Sequence, residues 1–152
     1  MVMGNTEIAR EFIAAYNAHD AERKAALMTE DGRVEFPALN ISHGAGWETT
    51  SGSNAANLVD DRTIDVQRIT ASGDAVVIEM LWHGVSKGGP GLAPAGERVE
   101  MENCIVLTFR DGLISRYVEY FGRYEGIDLL VLRGRMLERR QPVRSGSPSD
   151  RD

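Results

Sequence analysis

The sequence predicts an α+β fold, because helical periodicity fills the first thirty residues and strand-like segments fill most of the remainder. Three observations carry that prediction. Ile8, Phe12 and Tyr16 recur at i, i+4 and i+8, with Ala9 and Ile13 widening the apolar stripe, which is the spacing of an amphipathic helix. Beyond residue 62, segments rich in β-branched and aromatic residues alternate with glycine-containing turns. Residues 104–109 and 113–121 flank Arg110-Asp111-Gly112, and Asp-Gly marks a hairpin because glycine accepts positive φ without steric cost.

Taken in order, Asn5 or Thr6 caps the first helix and Glu7 suits its dipole. That helix ends near Asn17-Ala18-His19, and Asp20 caps a second one reaching about Met28. Thr29-Glu30-Asp31-Gly32 reads as a turn, and residues 33–36 as a short strand stopped by Pro37, which cannot donate to a ladder. Residues 38–52 read as irregular, and a short helix is expected over 54–61. Strands are expected over 63–71, 75–86, 98–109 and 113–121, with a flexible loop at 87–96 holding four glycines and two prolines. A last helix starts near Ile127. Residues 1–140 are expected to form one domain, and 141–152, rich in Pro, Ser, Gly and charge, a disordered tail.

Composition excludes several classes. No apolar run approaches the roughly 20 residues of a membrane span. The lone Cys104 rules out an internal disulfide or a cysteine zinc cluster, and with no visible signal peptide a cytoplasmic location is expected. Net charge is −6, and residues 1–132 alone hold 11 basic and 20 acidic side chains. An acidic body argues against nucleic-acid binding, which depends on neutralising phosphates. No histidine–carboxylate spacing resembles a metal site and no glycine-rich loop opens a helix, so no cofactor is expected.

Three stretches, taken together, resemble the NTF2-like superfamily, and within it the SnoaL-like polyketide cyclase, ketosteroid-isomerase-like and limonene-epoxide-hydrolase-like group. They are residues 12–37 (FIAAYNAHDAERKAALMTEDGRVEFP), Gly52 before a short helix, and residues 96–121 with their Phe-x-Asp-Gly-x-Ile turn and aromatic-acid-aromatic ending. The resemblance implies a cone-shaped α+β barrel, a curved antiparallel sheet with N-terminal helices enclosing an apolar pocket. It also implies a homodimer formed through the outer sheet face. Fold alone does not choose among the group's activities. Where the steroid isomerases carry a base before the strand-ending proline, this chain has Phe36. Their tyrosine and protonated aspartate fall at Phe12 and Ile105. The epoxide hydrolases' Arg and Asp of the middle strand fall at Met80 and Trp82, while their last-strand acid matches Glu119. SnoaL-like cyclases use an acid–base carboxylate in that same region.

Period-two alternation then selects a site. If Glu119 points inward, so do Tyr117 and Phe121; on the neighbouring strands the parity that the resemblance implies puts Met101, Asn103, Met80 and Trp82 inward, joined by Tyr16 and Phe36. Glu119 and Asn103 are the expected catalytic pair. Tyr16, Phe36, Trp47, Met80, Trp82, Met101, Tyr117 and Phe121 are the expected substrate-binding walls, with His43 and Glu48 in a candidate lid. A carboxylate in an apolar wall has its ionised form disfavoured, which suits proton transfer. His83 has outward parity and His19 lies in a helix break, so neither is assigned chemistry. The expected function is cofactor-independent acid–base catalysis, as a cyclase, isomerase or dehydratase, on a hydrophobic cyclic molecule such as a polyketide or steroid-like metabolite. The alternatives are a non-catalytic binding protein with the same pocket, or an epoxide hydrolase with an altered constellation.

Overall fold

A computed structural model describes residues 3–47 and 55–140. Glu48, the expected start of the 54–61 helix and the expected tail at 141–152 lie wholly or partly outside those residues. Helix α1 (Asn5–Asn17) buries Ile8, Ala9, Phe12 and Ile13, the face its periodicity marks. Helix α2 (Ala21–Ala26) starts at Asp20, whose side chain accepts a bond from the Arg23 backbone N–H. The six strands are β1 (Met28–Phe36), β2 (Ile41–Gly44), β3 (Val59–Ser72), β4 (Ala75–Ser86), β5 (Arg98–Arg110) and β6 (Leu113–Glu125), followed by helix α3 (Leu129–Arg140).

The strands form one sheet in the order β2-β1-β6-β5-β4-β3. This overturns the expected cone-shaped antiparallel barrel: the sheet is mixed, open at β2 and β3, and neither closed nor strongly curled. The hairpin signals spoke only for consecutive strands, and β3 to β6 are indeed antiparallel neighbours. β1 instead runs parallel to β6, to which no hairpin connects it. Closing the sheet would require β2 and β3 to pair, and β2 is only four residues long.

Edge strand β3 is partly covered by the end of α1. The Asn17 amide donates to the Ile64 carbonyl at 3.0 Å and accepts from the Ile64 N–H at 2.8 Å, standing in for a missing strand partner. Three local expectations also change. The 29–32 turn is part of β1, with a register shift between Met28 and Arg33. The irregular stretch contains a 3-10 turn (Pro37–Leu39) and β2. The expected helix is reduced to a 3-10 turn at Ala55–Asn57, and β3 begins at Val59.

The core lies between α1 and the inner face of β4–β6. Val76, Ile78, Ile105, Leu107 and Ile114 have no solvent exposure, and each such side chain contributes about 1.5–3 kcal/mol through burial.

Candidate functional site

The register of the central strands assembles the site. Ile105 of β5 faces Glu119 of β6, Asn103 faces Phe121, Met80 of β4 faces Asn103, and Trp82 faces Met101. These residues therefore share the inner face. Asn103 and Glu119 are diagonal neighbours, close enough for their side chains to meet.

They do meet. Asn103 Nδ2 donates to Glu119 Oε2 at 2.6 Å, and the Tyr117 hydroxyl, two residues along the same strand face, donates to Oε1. Glu119 is 6 % exposed and Asn103 5 %. Burial pushes the Glu119 carboxyl above its ordinary acid range; the Tyr117 and Asn103 hydrogen bonds, and then the positive charge of Lys24, pull it partly back. Asn103 Oδ1 is buried and accepts no hydrogen bond within the described structure. Leaving such an acceptor unsatisfied costs about 1–3 kcal/mol.

Glu119 lines a cavity that opens to solvent at its mouth. Of the expected walls, Tyr16, Phe36, Trp47, Trp82, Met101 and Phe121 line it, as does His43 of the candidate lid. Trp82 Nε1 donates to the Tyr16 hydroxyl at 2.7 Å, so both polar tips are satisfied against an otherwise apolar wall. His43 and Trp47 stack, with ring centroids 3.8 Å apart and planes 20° from parallel. Tyr117 instead faces a smaller cavity that shares Tyr16, Phe36 and Trp47 with the first. Met80, 1 % exposed, is packed in the core beneath the wall. His83 pairs with Asp65 at 2.9 Å on the outer face, and His19 lies 3.0 Å from the Arg62 carbonyl oxygen.

Several participants escape sequence reasoning. Lys24, on a six-residue helix, is 8 % exposed and places its ammonium 5.0 Å from the centre of the Tyr16 ring. Nothing in its sequence context distinguishes it from a solvated helix cation. Arg62, Leu92, Ile127 and Leu132 also line the larger cavity. For Ile127 and Leu132 the apolar spacing of the last helix was an available signal. Leu92 comes from the glycine- and proline-rich loop, held to the start of α3 by a bridge to Ile127 and by the Asp128 N–H donating to the Gly91 carbonyl at 2.7 Å. Among the described residues, no group of three or more His, Cys, Asp or Glu side chains is placed to hold a metal ion, and no helix is long and apolar enough to cross a membrane.

Solved structures share this architecture. IdmH, a proposed polyketide cyclase from Streptomyces antibioticus, is 20% identical with a TM-score of 0.66, over 86% of this chain and 96% of that one. An NTF2-like protein of unknown function from Burkholderia pseudomallei is 16% identical with a TM-score of 0.67, over 79% and 92%. A protein from Catenulispora acidiphila with a ketosteroid isomerase-like fold, in complex with trimethylamine, is 19% identical with a TM-score of 0.63, over 76% and 85%. At these identities the likeness is one of fold. None of the curated proteins compared matches the sequence. The model of the SnoaL-like domain matches residues 9–117, which include most of α1, all of α2, five strands and part of the sixth. The chain belongs to the SnoaL-like domain family of the NTF2-like superfamily.

Proposed function

We propose that this protein is a cofactor-independent acid–base catalyst, a cyclase, isomerase or dehydratase, acting on a hydrophobic ring compound held in the larger cavity. The observation that carries the reading is the Glu119 carboxyl, buried in an apolar wall with one hydrogen-bond donor on each oxygen. A carboxylate has about four lone-pair sites, so two remain for a substrate proton. A pKa raised above the ordinary carboxyl range and a fixed geometry are what proton shuttling needs at neutral pH. Ionised Glu119 takes a proton from a carbon beside a carbonyl, and its neutral form returns the proton to carbon or oxygen elsewhere on the ring. Asn103 and Tyr117 keep the carboxyl oriented through both states. The resemblance of fold to a proposed polyketide cyclase favours a polyketide-like substrate.

A second reading, binding without chemistry, draws on Glu119 being the sole carboxylate among the described residues of the cavity wall. Turnover of a panel of cyclic ketones and aromatic polyketide mimics separates the two. With a substrate in hand, Glu119→Gln is expected to lower kcat by about 10²–10⁴-fold with KM little changed. Unchanged turnover would remove Glu119 from the chemistry, and no turnover across the panel would favour the binding reading.

The outer sheet face supports a further assignment, pairing with a second copy. Val77, Leu81, Cys104 and Val106 are half-buried there and Tyr120 is 48 % exposed. Sedimentation of the chain is expected to give a dimer that Tyr120→Glu weakens. A single cysteine on this face suits a cytoplasmic setting.

A further inference from the structure

We propose that Arg62 makes the larger cavity selective for a ring compound carrying a carboxylate at the end remote from Glu119. The inference rests on the reading of this cavity as a binding site for an apolar ring compound, and it names the ligand's charge.

Arg62 reaches the cavity through a built feature of the edge strand. The register of β3 against β4 shifts between Asp60 and Thr63, and Asp61 sits at φ 52°, in the left-handed region. Such a bulge re-aims side chains; here it lets Val59 and Arg62, three residues apart, both face the cavity. Gly84 of β4 makes room for it. A Cβ at Gly84 would collide with Val59 Cγ1, lie 2.7 Å from the Asp60 carbonyl oxygen and lie 3.5 Å from Arg62 Cα. The Arg62 backbone is also tied to the end of α1 through its carbonyl and His19.

The two polar ends of the cavity are separated by an apolar floor. Glu119 is on β6 and Arg62 on β3, with β5 and β4 between them. Met101 and Trp82, paired with each other on those two strands, supply the intervening surface. Three strand spacings amount to roughly 14 Å across the sheet, part of which the two side chains span. A flat bicyclic or tricyclic molecule with polar groups at both ends suits that distribution. Among the described lining residues Arg62 is the one lysine or arginine. A single guanidinium matches a carboxylate in charge and in planar two-pronged geometry, whereas a phosphate dianion would stay under-neutralised in an apolar wall. Five N–H donors allow Arg62 to serve a ligand alongside a protein partner.

The test uses 6-hydroxy-2-naphthoate and its neutral isostere 6-hydroxy-2-naphthamide, titrated calorimetrically into the full chain. The naphthoate is expected to bind about ten- to a hundredfold more tightly, as a hydrogen-bonded charge pair implies. Arg62→Gln is expected to abolish the preference and Arg62→Lys to keep only part of it. In the unmutated protein, a ¹³C-labelled naphthoate carboxyl is expected to titrate at lower pH when bound than when free, a readout that stands even if the variants fail to fold. Equal affinity for the two probes, a preference that survives Arg62→Gln, or an unmoved carboxyl titration overturns the assignment while leaving the cavity reading intact. Absence of binding by either probe, or binding that Met101→Arg does not weaken, sinks both together.

Discussion

Glu35 and Glu119 are the same chemical group one strand apart, and the protein turns them in opposite directions. Glu35 of β1 pairs in register with Val118 of β6. It points to the outer face, where Arg116 Nε donates to it at 2.7 Å and Nη2 at 3.3 Å, and that bond holds its carboxyl below the ordinary range. Glu119, the next residue after Val118, points to the inner face and is pushed the other way by burial. A cation within reach favours the charged form; an apolar wall disfavours it. The same contrast runs along the whole outer face, where Arg68–Glu79, His83–Asp65 and Arg123–Glu102 are paired at the surface. Among the described residues of the cavity wall Glu119 is the one acid, and both of its hydrogen-bond donors are neutral. Which face a carboxylate takes decides the direction in which its acidity is pushed.

That contrast depends on strand alternation holding through β6, and Gly122 is where it can be broken with the largest effect. The β5–β6 register shifts between Met101 and Asn103, opposite Gly122 and Arg123. A Cβ on Gly122 would run into the Glu102 carbonyl oxygen, which is backbone and has little freedom to yield. Gly122→Ala is expected to destabilise the fold by about 1–3 kcal/mol in urea unfolding, and to loosen Phe121 and Asn103, which pair across the strands beside it. An alanine tolerated without loss would mean that the bulge does not fix the inner row.

The stability of Glu119→Gln sharpens the comparison directly. A carboxyl raised on folding leaves the native state binding more protons than the unfolded chain, so stability present at low pH is lost as pH rises through the folded-state value. Glutamine does not titrate, and an Asn103 amide flip would let the orphaned Oδ1 accept from the new amide. The variant is expected to gain a few degrees in Tm at pH 8, with the gain shrinking as pH falls towards the ordinary glutamate value of 4.5. A pH-independent difference would contradict desolvation as the leading cause. Tyr117→Phe acts on the same carboxyl from the other side. It removes a donor that favours ionisation, so the acidic limb of any Glu119-dependent rate profile is expected to move to higher pH. A structural role for Tyr117 would alter amplitude and leave the limb in place.

Sequence reasoning reached this site because its signals are local. A charge between Val118 and Tyr120 in a strand needs a reason, and period-two parity from Glu119 brings Tyr117 and Phe121 to one face, to which the family resemblance adds Asn103. The α1 stripe and the Asp111-Gly112 turn were legible for the same reason. What stayed hidden is non-local. Asp31-Gly32 has turn chemistry, yet it lies within β1 between Met28 and Arg33, both of which pair with β6. Ile41–Gly44 is too short for alternation to show, and its strand character comes from pairing with β1. Lys24 and Arg62 carry no pattern of their own. Burial against Tyr16 places the first, and a bulge facing a glycine on the next strand places the second.

The smallest expected effect belongs to the outer carboxylate, and its sign is opposite. A carboxyl lowered on folding contributes stability that is present above its unfolded value and lost as pH falls through the folded one. Glu35 is 27 % exposed and Arg116 50 %, so screening discounts the pair to about 0–1 kcal/mol. Glu35→Gln is therefore expected to lower stability slightly at pH 7, with the deficit vanishing in acid and shrinking in high salt. Measured beside Glu119→Gln, the two curves should diverge from the wild type in opposite directions as pH rises. Parallel curves would mean that residue type, and not the face of the sheet, sets the behaviour of both acids.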